Sequence, residues 1–203
     1  MFGIARIVAP AALVASAVIL GGMAPEPDPV PRRWQLDVTL GPVRQASFEI
    51  EGQGPRVFVY MTYKVSNNSG QDLLFAPSFE LVMGNGQAVR SGRGVPADIT
   101  KKLIEKCQNN FLQDQIAVIG NLMQGPENAK EGLVAWPLED FSPTKIAIYA
   151  AGFSGETTTI TPPGSTEKTL LRKTLSVNYV VKGELSKRGD QPLEVEEQRW
   201  VMR

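Results

Sequence analysis

The chain has 203 residues, 42% hydrophobic and 21% charged, with 21 basic and 21 acidic side chains and a formal net charge of zero. That balance excludes the basic, counterion-displacing surface of a non-specific nucleic-acid binder. The lack of histidine removes the usual general base and the commonest metal ligand, and the single Cys107 leaves neither a disulfide nor a thiolate zinc site.

The N-terminus places Arg6 before an uncharged run from Ile7 to Ala24. At about 18 residues the run lies between the core of a signal peptide and a membrane-spanning helix. Ala15-Ser16-Ala17 has the small-x-small form of a cleavage site. Residues 1–24 are therefore predicted to be a signal peptide or a membrane anchor, forming an N-terminal hydrophobic helix. Cys107 stands too far downstream to carry an N-terminal lipid anchor. Residues 25–33, "PEPDPVPRR", form a stiff, solvated polyproline-like linker. The chain is expected to be exported, to the periplasm or cell surface, with residues 7–24 as its route to a membrane.

From Trp34 the pattern turns to period two. "WQLDVTL" sets Trp34, Leu36, Val38 and Leu40 on one face, and "SFEIEG" follows. Val57, Val59, Met61, Tyr63 and Val65 alternate again. "SNNSGQD" turns the chain, because Asn, Ser and Gly tolerate left-handed backbone and bond their own main chain. "LLFAPSFELVM" then reads as the returning strand of a hairpin-like pair, and Gly84–Gly86 after it signals a further tight turn. Further strands are predicted in "GLVAWPL", "KIAIYAAGF", "ETTTITP", "TLLRKTLSVNYVV" and "PLEVEEQRWVM". Short strands punctuated by turns imply an antiparallel β-sandwich over residues 34–203.

One stretch breaks the pattern. Residues 97–123 read as a helical insertion, with Asp98 as N-cap and Ile99, Leu103, Cys107 and Phe111 on one stripe. Its expected place is on an edge or end of the sandwich, where it shields a strand edge or, in the alternative, serves as a lid or partner surface.

The motifs that suggest chemistry are incomplete. "GFSGE" resembles a nucleophile elbow, but Glu156 replaces the last glycine and no histidine exists to serve Ser154. "GNGQAV" lacks the third glycine of a dinucleotide loop. Cys107, beside Lys106, is expected to be a packed apolar residue rather than a nucleophile. Asn67-Asn68-Ser69 forms a glycosylation sequon, and "NNSGQD" offers oxygen ligands without the carboxylates of a calcium loop. Trp34, Trp136 and Trp200 are candidates for a sugar-stacking platform, with core packing the plainer account. "EVEE" reads as a solvent-facing strand, and Met61, Met83 and Met123 are too scattered for a copper site.

The hydrophobic leader, the block "VFVYMTYKVSNNSGQDLLFAPSFELVMGNGQAV", "GLVAWPLEDFSPTKIAIYAAGFSGET" and the closing "LLRKTLSVNYVVKGE…RWVMR" resemble uncharacterised bacterial secreted proteins. The resemblance implies an immunoglobulin-like sandwich and no assigned reaction. No catalytic, cofactor-binding or metal-binding residue follows from it, and no cofactor is expected. The expectation is a non-enzymatic binding or scaffolding module of the bacterial cell envelope, meeting an envelope protein or glycan. A carbohydrate-binding or carbohydrate-active sandwich is the alternative. The candidate contact loop is Asn67, Asn68, Ser69 and Asp72.

Overall fold

A computed structural model describes residues 25–26, 33–138 and 144–203. The expected signal or anchor segment lies outside the described residues, as does most of the linker. Thirteen strands follow in chain order among the described residues: β1 (Asp37–Leu40), β2 (Arg44–Ile50), β3 (Gly54–Asn67), β4 (Leu73–Phe75), β5 (Ser78–Met83) and β6 (Ala88–Arg90). After helix α1 (Ala97–Cys107) come β7 (Leu112–Gln113), β8 (Gly120–Leu122), β9 (Gly125–Pro137) and β10 (Lys145–Ala151). The series ends with β11 (Thr157–Ile160), β12 (Thr169–Val180) and β13 (Glu194–Met202).

These strands form two sheets and a ribbon. In the first sheet β1 and β2 pair with one side of β3, followed by β9 and the short parallel β7. The second runs β11-β12-β10-β5-β6, with β13 along the other side of β12. β4 and β8 make the ribbon. The sheets face each other as a sandwich, and the period-two reading explains how. Val59, Met61, Tyr63 and Val65 of β3 meet Phe79, Leu81, Ile148 and Val177 from the second sheet in one buried cluster. Tyr63 and Phe79 stack across it with ring centroids 4.8 Å apart.

The predicted pairing of β3 with the returning strand does not form. The chain breaks at Ala76–Pro77, since proline has no N–H for a ladder, and β4 and β5 enter different sheets. β3 and β5 therefore press their apolar faces together instead of sharing an edge. The turn at Gly84–Gly86 does close a hairpin, β5 with β6, through a bond from Gly86 N–H to the Met83 carbonyl.

The insertion also departs from expectation. Helix α1 covers only Ala97–Cys107, because Gln108 takes a left-handed φ of 51° and turns the chain away. Pro96, not Asp98, occupies the N-cap and gives no side-chain bond; Asp98 instead pairs with Lys102 at 3.4 Å. Phe111 leaves the helical stripe and stands 78% exposed. α1 lies on the outer face of the first sheet rather than on an edge. There Ile99 and Leu103 bury themselves on Phe58, Tyr60, Leu133 and Ala135. The rest of the insertion runs back as β7, a turn and β8.

One glycine is fixed by its surroundings. Gly152 has φ +91°, and a Cβ there would lie 2.8 Å from the Ala76 carbonyl oxygen. Gly86 has a similar φ of +84° but open space around it. Chemical denaturation should show Gly152→Ala losing more stability than Gly86→Ala, the latter costing about 1–3 kcal/mol from backbone strain alone. Equal losses would mean that the Ala76 contact contributes nothing.

Candidate functional site

The register of β2 on β3 sets Arg44 opposite Tyr60 on the outer face of the first sheet. The last turn of α1 brings Lys106 and Cys107 over the same face. Beyond them opens a cleft of about 350 Å3 with Arg44, Tyr60, Thr62, Lys106 and Asn109 in its walls. A second hollow of about 300 Å3 continues it along β2 and shares Lys106 and Asp190.

Asp190 arrives from the segment between β12 and β13, far away in sequence. That segment is pinned from below by Leu185 and Leu193, both buried in the main core. Arg188 clasps it from within, donating to the carbonyls of Lys182 at 2.8 Å and Pro192 at 3.3 Å. Asp190 then stands at the cleft mouth. Tyr60 donates its hydroxyl to Asp190 Oδ1 at 3.0 Å, while Lys106 lies 3.5 Å and Arg44 3.9 Å from Oδ2. Arg44 also donates to the Asp190 backbone carbonyl. One carboxylate thus meets two cations and a phenol, leaving this cluster with one positive charge in excess.

The electrostatics follow from the burial. Desolvation raises the Tyr60 pKa well above the ordinary phenol value, and its hydrogen bond to the negative Asp190 adds to the rise. The Cys107 thiol is also pushed up, first by burial and then by Asp190, against opposition from Lys106 and Arg44. A thiol held neutral is a poor nucleophile, which agrees with its packing beside Ile104 on the helix-covered cluster. Under the cleft floor, Gln45 Oε1 and Arg188 Nε are buried without hydrogen-bond partners and line one narrow gap.

The candidate contact loop sits elsewhere, at the end of the sandwich where β3 stops. Its four residues come together, bonded partly to one another and partly to neighbouring segments. Asn67 is wholly buried, donating to the carbonyls of Gln71 at 2.9 Å and Leu122 at 2.8 Å and accepting from Ser69 Oγ at 2.7 Å. Its amide, the acceptor of the sequon, is therefore used up inside the fold. Asn68 donates to Asp37, and Asp72 accepts from Gln124 N–H at 3.0 Å. Asn68 and Asp72 keep their exposure to solvent.

Ser154 belongs to a structural turn, with Oγ donating to the Trp34 carbonyl at 3.3 Å and Gly155 packed beneath the Trp34 indole. Trp136 is fully buried, and Trp34 and Trp200 pack against the core from partly buried positions. The "EVEE" stretch is the solvent-facing start of β13, where Glu196 pairs with Lys145 at 2.9 Å. Among the described residues no group of three acidic, Cys or His side chains is arranged to hold a metal, and no helix is long and apolar enough to cross a membrane.

Compared with protein-family models, with curated proteins and with solved structures, the chain finds no match.

The buried tyrosines give an alkaline signature. Tyr179 is pushed up to about 12 by burial, and Tyr63 and Tyr60 rise further. Because the phenolate forms more readily in the unfolded chain, unfolding releases protons above the ordinary value of about 10. Stability should hold steady up to about pH 10 and fall as pH rises through about 12, read as the urea midpoint. Tyr60→Phe should make that fall shallower; an unchanged slope would place Tyr60 in water.

Proposed function

We propose that this chain is an exported, non-enzymatic binding module of the bacterial envelope that takes an acidic group of a partner protein in the cleft between α1 and β2–β3. The observation that carries the reading is the grip on Asp190. Arg44, Lys106 and Tyr60 already hold one carboxylate of the chain itself, in a cleft with a surplus positive charge. A carboxylate from outside would use the same donors, and Asp190 would yield its place to it. Charge-assisted bonds to Arg and Lys supply the selectivity for an acid. The neutral Cys107 thiol, the occupied Ser154 hydroxyl and the absence of histidine support binding over catalysis. The antiparallel pairs and facing sheets support an immunoglobulin-like sandwich, carried outside the cytoplasm by residues 1–24.

The carbohydrate alternative has one location in its favour. A groove of about 330 Å3 on the outer face of the second sheet holds Tyr149, Glu80, Arg172 and Arg203. The Arg203 guanidinium lies 4.0 Å from the centre of the Tyr149 ring, on the face a sugar would need. The acidic-partner reading is therefore preferred.

Titration of the full chain with a fluorescent hexaglutamate peptide tests the reading. Asp190→Asn removes the internal competitor and should tighten binding about three- to tenfold, whereas Arg44→Ala or Lys106→Ala should weaken it to a similar extent. Absence of binding to both the native chain and Asp190→Asn would refute it. Intact-mass measurement of the protein from bacterial cells should show export, either by a cut after Ala17 or as the whole chain in the membrane fraction. Full-length protein confined to the cytosol would contradict the envelope location.

A further inference from the structure

Of seven large apolar side chains exposed among the described residues, five fall on one stretch and the strand paired with it: Leu74, Phe111, Ile116, Ile119 and Met123. The β4–β8 register explains their direction. Leu73 pairs with Leu122, and both face the core, so Leu74 and Asn121 point outward. Period two places Ile119 and Met123 on the outward side with Asn121. Ile116 sits in the turn just before, 74% exposed, while Val118 of the same turn is completely buried.

This exposure is not a frayed loop. Asp114 Oδ1 accepts from the amides of Ile116 at 2.7 Å and Ala117 at 2.8 Å, and Ile119 N–H bonds the Ile116 carbonyl at 3.1 Å. Lys130 reaches the Val118 carbonyl at 2.9 Å. The turn thus holds apolar tips outward with these backbone groups paired, as insertion into a lipid boundary requires. Exposed large apolar side chains gathered in one stretch and its paired strand mark an interaction site.

What covers it follows from where the chain enters. Leu36 N–H bonds the Phe153 carbonyl at 2.9 Å, and the Phe153 ring lies 5.4 Å from that of Phe75, the neighbour of Leu74. Leu36, close to the start of the described domain, therefore lies on the side of the molecule that carries β4. Nine residues, Pro25 to Arg33, separate the N-terminal apolar run from Trp34, a length of chain that reaches at most roughly 28 Å at about 3.1 Å per residue. The run from Ile7 to Ala24 has about the length needed to cross the apolar layer of a bilayer. Arg32 and Arg33 end the linker with charge suited to anionic headgroups.

We infer that, in a chain retaining residues 7–24 as its anchor, the surface formed by Leu74, Phe111, Ile116, Ile119 and Met123 seats in the headgroup boundary of the same bilayer. The inference is independent of what the cleft binds.

The test uses the native full chain in vesicles of phosphatidylethanolamine and phosphatidylglycerol carrying a photoactivatable group near the head of the acyl chain. After illumination, peptide mapping should find lipid attached both to residues 7–24 and to residues 111–123. Ile116→Glu with Ile119→Glu should abolish the second attachment and preserve the first. Attachment confined to residues 7–24, or no attachment at all, would overturn the inference. So would residues 111–123 crosslinked to a second copy in place of lipid.

Discussion

The structure depends on β3 burying both of its faces. On the inner side Val59, Met61, Tyr63 and Val65 face the second sheet, while on the outer side Phe58 and Tyr60 lie under α1. A strand covered on one side alone would leave Phe58, with Leu133 and Ala135 beside it on β9, open to water. The 11-residue helix α1 supplies the cover with only two wholly buried side chains, Ile99 and Leu103. Burying such side chains contributes roughly 1.5–3 kcal/mol each, enough to hold a short helix that would be marginal alone.

The cleft is a consequence of that roof. α1 covers the Phe58 end of the outer face, and Gln108 turns the chain away before the helix can extend over Thr62. The uncovered strip between the helix end and β2 is the cleft. Its polar groups come from three separate parts of the chain, the β2–β3 hairpin, the end of α1 and the segment carrying Asp190.

Much of the framework was legible in the sequence, because period two is a local signal. The alternation from Val57 to Val65 marks the core face of β3, and the Gly84–Gly86 turn marks the bend that joins β5 to β6. Three features were not legible, each for a physical reason. The break at Pro77 showed in the sequence, but whether the flanking strands share a sheet depends on tertiary packing. The position of α1 on a face depended on Phe58 and Tyr60, which fall between the core residues of β3 and look like ordinary strand formers. The cleft was invisible because Arg44 and Asp190 stand 146 positions apart and meet only through the register of β2 and the anchoring of Leu193. The polar residues of the Asn67–Asp72 loop bond readily, and they are spent on their own turn and on Asp37, Leu122 and Gln124 beside it.

Coupling between the roof and the strand beneath it tests this account most directly. A double-mutant cycle between Phe58→Ala and Leu103→Ala, read by urea denaturation, measures whether the two side chains share one buried cluster. The account predicts a coupling energy of about 0.5–3 kcal/mol, as found for side chains in contact. Losses that add to within about 0.3–0.5 kcal/mol would place α1 elsewhere and remove the wall of the cleft with it.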